Sequence, residues 1–356
     1  MPSVLRRIGR FALLQAGLLT AGATELVELQ GRQLHAAISP RGATLESVVF
    51  KGRAFNPLLS AESAGPNKAH GHFLCFDRWG RISEAEKARG YRFHSEARHR
   101  TWQVLTAEAG RATLRTTLPA SRLTMERTYA VSSSYPVLTI TSLVINRTQK
   151  VRPYNLVEHA LLAPLWLGPA VRLHSNAAAG HLHLAGTPLP NSEFFWPRAV
   201  AQETDFDLGG NLQTEPDLMA SVVFPADSLY AWALLHDPAS GTAFALVWPR
   251  ADFPWLNLWW RGSHASKAAR AVEPGTTGLH GPMEACIERG QLLGNALHVE
   301  LRPGETRRHR LHYVLLPALT QGAEFLDAVV INRTFRVRWL TARGPIVQAI
   351  PLPADA

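Results

Sequence analysis

Short runs in which apolar and polar residues alternate, each closed by a turn, follow one another along most of this chain. The longest are Leu123-Thr124-Met125-Glu126-Arg127-Thr128-Tyr129-Ala130-Val131 and Val137-Leu138-Thr139-Ile140-Thr141-Ser142-Leu143-Val144-Ile145. A period of two sends successive side chains to opposite faces of a strand and does not fit the 3.6-residue stripe of a helix. The pattern recurs at residues 43–50, 101–105, 112–116, 229–235, 242–248 and 309–315, with many β-branched and aromatic residues. Residues 26–30 and 33–39, joined by Gly31-Arg32, read as a hairpin. Only residues 83–89 and 323–329 read as short helices, the first with Ser83 as its cap and Glu86 in the capping-box position. Many strands with few helices imply an all-β protein, a large antiparallel β-sandwich.

No fixed-period repeat and no interdomain linker interrupts the pattern, and 356 residues suffice for one large β domain. We divide the chain into residues 1–23, a β-sandwich over 24–320, and a C-terminal extension over 321–356 with a short helix and a loosely held tail. Residues 176–217 are rich in Gly and Pro and read as long loops or an insertion. The first segment carries Arg6, Arg7 and Arg10 with no acid, then an apolar run over 11–19 and Ala21-Gly22-Ala23. These are the parts of a cleavable secretory signal, and the apolar run is too short to span a bilayer. The expectation is an exported protein without stable membrane insertion; the alternative is an amphipathic first helix on a cytoplasmic one.

The formal charge of +9 is spread along the chain without a Lys/Arg block, which argues against a nucleic-acid partner. Cys75 and Cys286 have no metal or redox spacing, and whether they pair is not readable. Oligomeric state is likewise open.

The segment Gly71-His72-Phe73-Leu74-Cys75-Phe76-Asp77-Arg78-Trp79-Gly80 concentrates an imidazole, a carboxylate, a guanidinium and an indole between glycines. Such groups give polar recognition in several directions plus a flat apolar face, which suits a hydroxyl-rich ring substrate. A structured loop is the alternative. Trp255 and Trp259 share one strand face and Trp260 takes the other, so one face is core and the other a candidate sugar platform. His181 and His183 also share a face, but no nearby cluster of acids completes a metal site. No glycine-rich phosphate loop and no Gly-x-Ser-x-Gly elbow occurs.

The order of these elements resembles the galactose mutarotase-like superfamily, which includes aldose 1-epimerases and hexose-6-phosphate mutarotases, over roughly residues 25–316. Gly42-Ala43-Thr44-Leu45 followed by Asn56-Pro57 is similar to its early strand and loop. Phe93-His94-Ser95-Glu96 with Trp102-Gln103-Val104, and Met125-Glu126-Arg127-Thr128-Tyr129, resemble its next two elements. Asn155-Leu156-Val157-Glu158-His159 resembles its Asn-x-x-x-His segment. Val272-Glu273-Pro274 stands where its late Glu stands, and Leu301-Arg302-Pro303-Gly304-Glu305 resembles its last turn. Three departures bear on substrate: Ser95 replaces a usual Gly, Ala160-Leu161-Leu162 replaces an aromatic segment, and Pro274-Gly275-Thr276 gives the late Glu a different local context.

The resemblance implies a supersandwich and interconversion of sugar anomers without a cofactor or metal. A base removes the C1 hydroxyl proton, an acid protonates the ring oxygen, and the ring opens, rotates and recloses. By resemblance Glu273 is the base and His159 the acid, with His94 binding or assisting at the ring. Arg78, Asp77, His72, Trp79, Trp259 and Arg270 are the candidate contacts to a monosaccharide or oligosaccharide, with Asp77 alternatively a partner that orients Arg78. Structural alternatives remain for each: a strand-end carboxylate for Glu273, a backbone-bonded core histidine for His159, turn residues for His94 and His72. The competing functions are a non-catalytic carbohydrate-binding protein, a sugar-phosphate mutarotase using Arg78, Arg92, Lys267 and Arg270, and a polysaccharide-processing enzyme. The last requires two carboxylates roughly 5 to 10 Å apart, for which Asp77, Glu96 and Glu158 are the candidates, or a Tyr/His pair.

Overall fold

The computed structural model describes residues 25–51, 55–65, 68–184, 187–201, 203–210, 217–261 and 269–354. Among these residues two large antiparallel sheets stack face to face, one of fourteen strands and one of eight. The middle of the larger sheet runs His72–Asp77, Arg152–Leu161, Ala269–Gly275, Trp255–Arg261, Leu218–Val223, each strand antiparallel to the next. The hairpin expected at residues 26–39 forms, as Val27–Gln30 against Leu34–Ser39. The smaller sheet is built around Leu123–Val131, Val137–Asn146 and Thr306–Leu315, with Tyr230–Asp237 and Thr242–Pro249 towards one edge.

Alternation sorts the side chains. Leu74, Phe76, Leu156, Val272, Leu256 and Leu258 point from the larger sheet into the interior, against Met125, Tyr129, Ile140, Leu246 and Leu311 of the smaller one. Phe73, Cys75, Val157, Leu161, Met219 and Ala271 project the other way and form a separate cluster on the outer face of the larger sheet. Trp260 joins the interior, whereas Trp255 and Trp259 stand on the outer face, as their spacing requires.

One polar network crosses the interior. Arg127, from the smaller sheet, donates to both oxygens of Glu158 at 2.7 Å, and His72 lies 2.6 Å from the same carboxylate. The His72 ring also meets Tyr313 Oη at 2.9 Å. Burial alone would raise the Glu158 carboxyl; the Arg127 guanidinium overrides it and holds the group well below the usual carboxylate range.

The C-terminal extension differs from the sequence expectation. Glu324–Ile331, Thr334–Thr341 and Gly344–Pro351 form a three-stranded antiparallel sheet, with neither the short helix nor the loose tail. A register shift between Phe325 and Asp327 puts Phe325 and Ala328, three residues apart, against the same apolar cluster, which imitates helical spacing. Asn332 and Arg333 both have positive φ and close a two-residue hairpin. Phe335, Val337, Trp339 and Ile350 then pack on Trp232, Leu234, Ala245 and Val247, covering the outer face of the smaller sheet.

Residues 176–217 are also more regular than expected. Ala179–Leu184, Phe194–Phe195, Arg198–Ala201 and Thr204–Asp207 extend the larger sheet. The expected leader, residues 1–23, lies outside the described residues. Among the described residues no helix is long and apolar enough to cross a membrane.

Candidate active site

The outer face of the larger sheet assembles the site from four adjacent strands. Phe73 pairs with His159 across His72–Asp77 and Arg152–Leu161, and Asn257 pairs with Glu273 across Trp255–Arg261 and Ala269–Gly275. His159 and Glu273 therefore project from neighbouring strands onto the same face, and His159 Nε2 lies 3.2 Å from Glu273 Oε1. The other carboxyl oxygen, Oε2, accepts a 2.9 Å hydrogen bond from Trp79 Nε1. The His159 ring stacks on Phe73 with centroids 4.2 Å apart, which fixes its plane.

His94 arrives from the loop above. Gly80 N–H donates to His94 Nδ1 at 3.3 Å, so the neutral ring carries its proton on Nε2. The two residues meet only because the backbone turns sharply: Asp77, Gly80, His94 and Ser95 all have positive φ. At Gly80 an added Cβ would lie 2.4 Å from the His280 ring, so both the turn and the close approach call for glycine. The Ser95 hydroxyl, where the resemblance has glycine, donates to the Phe76 carbonyl and ties this loop to the strand. Between Gly80 and His94 the chain forms the Glu84–Ala88 helix, entered through Ser83, whose side chain and that of Glu86 close the expected capping box.

Burial sets the protonation of the cluster. It pushes the Glu273 carboxyl up to about 8, with the Trp79 bond pulling the other way. It holds His159 well below its ordinary value, helped by His94 and Arg98. His94 is likewise well below, through burial, His280 and Arg98. Near neutral pH the Glu273–His159 pair thus holds one proton, preferentially on the carboxyl.

The remaining sequence candidates divide sharply. Trp259 does face the site; it is half-buried, and its Nε1 donates to Asp217 Oδ2 at 3.3 Å. Trp79 is 1% exposed, so its indole N–H on Glu273, rather than an open ring face, is what it offers. Asp77 and Arg78 pair with each other at 2.6 Å, and Arg78 Nε is bound to Glu86 at 2.7 Å. Arg78 is therefore occupied within the fold. His72 and Arg270 are corrections: both are 0% exposed and lie between the two sheets, one residue out of phase with the outer face. The same phase places Glu158 in the interior network, which removes it as a carboxylate flanking a cleft.

One residue escaped the sequence reading. Arg98, in the short Ala97–His99 turn, lies with its guanidinium carbon 4.5 Å from the centre of the Phe73 ring. Among the described residues it has no ion pair and no side-chain hydrogen bond. The only available signal was its position four residues after His94, which a loop does not turn into a direction. His181 and His183 have ring centroids 4.4 Å apart and are bonded to Gly278 O and Ser221 Oγ. Among the described residues no three His, Cys, Asp or Glu are grouped to hold a metal ion. Cys75 and Cys286 are separate, buried thiols.

The architecture has solved counterparts. A galactose mutarotase-like protein from Lactobacillus casei superposes with a TM-score of 0.60 at 17% identity, over 82% of this chain and 100% of that one. The chain has the galactose mutarotase-like fold. A candidate aldose 1-epimerase from Escherichia coli K12 (TM-score 0.62, 14% identity) matches over 83% of this chain and 99% of its own. An aldose epimerase homologue from C. elegans (TM-score 0.61, 16% identity) matches over 83% and 100%. No family model matches the chain, and no curated protein matches it by sequence.

Proposed function

We propose that this chain is an aldose 1-epimerase-like mutarotase that interconverts the anomers of a sugar by acid–base catalysis, without a cofactor. The observation that carries this reading is the 3.2 Å approach of His159 Nε2 to Glu273 Oε1, with the second carboxyl oxygen held by Trp79. The hydroxyl O1 and the ring oxygen O5 are both bonded to C1. An adjacent base and acid can therefore reach both at once.

In this reading the shared proton first passes from Glu273 Oε1 to His159 Nε2 across the 3.2 Å between them. Glu273 Oε1 then takes the O1 proton while His159 gives its proton to O5, breaking the C1–O5 bond. Rotation about C1–C2 and reversal of the two transfers give the other anomer. The one-proton state of the pair suits this cycle, since the proton count is the same before and after. His94, with its Nε2 proton fixed by Gly80, donates a hydrogen bond to the ring. The solved structures of the same fold that are named as aldose epimerases support the reaction class.

The test is polarimetry on freshly dissolved α-glucose and α-galactose with purified protein. Glu273→Gln is expected to lower kcat by about 10² to 10⁴, the usual contribution of a positioned general base. A variant as fast as wild type removes Glu273 from the reaction.

A further inference from the structure

The charges around the acid–base pair do not balance, and this bears on the substrate. Glu273 and His159 share one proton between them, and Asp77 is paired with Arg78. Arg98 is partly buried, and among the described residues its guanidinium has neither an ion pair nor a hydrogen bond. It lies against Phe73, the ring on which His159 stacks, so a single aromatic ring relates the cation to the acid. Its charge reaches Cys75, His94 and His159, and burial weakens its own hold on its proton with no carboxylate opposing that. A partly desolvated guanidinium without a counter-charge is unfavourable unless a ligand supplies the anion.

We propose, on the basis of the mutarotase reading above, that the sugar handled here is a hexuronate whose carboxylate pairs with Arg98. The planar guanidinium fork matches a carboxylate with two parallel hydrogen bonds. The position also fits: the carboxylate of a hexuronate is attached to C5, which is bonded to the ring oxygen that His159 serves. A phosphate ester fits less well, because it carries a charge of about −1.5 to −2 at neutral pH and would meet one cation among the described residues, outside which Lys267 lies. The other guanidinium groups weighed for phosphate are committed elsewhere or exposed: Arg78 holds Asp77 and Glu86, Arg270 is inside the sandwich, and Arg92 is in solvent. A bound carboxylate would also cancel one of the charges that depress His159, making that imidazole easier to protonate when substrate is present.

The experiment compares mutarotation rates, above the buffer rate, for α-glucuronate, α-galacturonate, α-glucose, α-galactose and glucose 6-phosphate. The expected result is a kcat/KM at least tenfold higher for a hexuronate than for the matching neutral hexose. That ratio should fall to near one in Arg98→Gln, be partly kept in Arg98→Lys, and shrink as salt is raised. A neutral hexose or the sugar phosphate as best substrate overturns the proposal, as does a ratio unmoved by Arg98→Gln in protein that melts like wild type. Should no sugar be turned over, calorimetric titration with glucuronate separates the two ideas. Binding lost in Arg98→Gln keeps the carboxylate site and sinks the epimerase reading; no binding sinks both.

Discussion

Trp79 donates its indole N–H to one oxygen of Glu273 and thereby decides which carboxyl oxygen is free to react. The contact joins the loop after His72–Asp77 to a strand near the other end of the chain, so loop and strand must both be in register for the base to be aimed. Trp79→Phe keeps most of the ring and deletes the donor. Glu273 is ionised in the form that takes the O1 proton, and loss of a hydrogen bond to a charged group costs about 1.5 to 3 kcal/mol, so kcat/KM should drop roughly 10- to 100-fold. Because the bond lowers the Glu273 pKa, its removal should also move the alkaline limb of the pH profile upward. A profile unchanged in position would show that the indole supplies only bulk.

The pH dependence of wild type follows from the two shifted groups. The competent pair holds one proton. It gains a second on His159 only well below 6.5 and loses its last from Glu273 at about 8. Polarimetric kcat/KM should therefore stay level as pH falls through 6.5, the ordinary histidine value, and decline above about 8. A decline centred near 4.5, the ordinary carboxylate value, would mean that Glu273 is ionised at rest and that water reaches it.

Arg127 and Glu158 give a stability prediction independent of catalysis. Removing one partner leaves a buried charge uncompensated, at a cost of about 3 to 5 kcal/mol. Arg127→Met should show that loss in urea denaturation, and the double variant Arg127→Met/Glu158→Gln should recover part of it. The sign of the pH effect is set by the carboxylate, whose folded pKa is depressed. Its contribution is present above the ordinary carboxylate range and disappears as pH falls through the lowered folded value. Wild type should lose stability along that acid limb more steeply than Glu158→Gln.

The sandwich and the convergence of His159 with Glu273 were legible in the sequence because period two is a local signal and the family order supplied the pairing. Phase was the harder quantity. His72, Glu158 and Arg270 sit next to outer-face residues in sequence, and alternation turns every such neighbour inward. Had the phase been carried from Phe73, His159 and Glu273 to the adjacent positions, all three would have been read as interior. Arg98 and the occupied state of Arg78 belong to a loop with positive φ at His94 and Ser95, where no periodicity says which way a side chain points. At Phe325–Ala328 a bulge produced helical spacing within a strand, and the periodicity itself misled.

The C-terminal sheet carries the last prediction. Trp339 is fully buried against the outer face of the smaller sheet, and its Nε1 donates to Gln348 Oε1 at 3.1 Å. Deleting the ring leaves a cavity and takes the indole donor from the Gln348 amide oxygen, so Trp339→Ala should destabilise the protein by about 3 to 5 kcal/mol. The site lies on the far face of the other sheet, so the folded variant should keep the wild-type kcat/KM at low temperature. Thermal melts read together with polarimetry distinguish the outcomes. A large loss of kcat/KM without loss of stability would mean that this sheet, here a cover for the apolar face holding Trp232 and Val247, takes part in shaping the site.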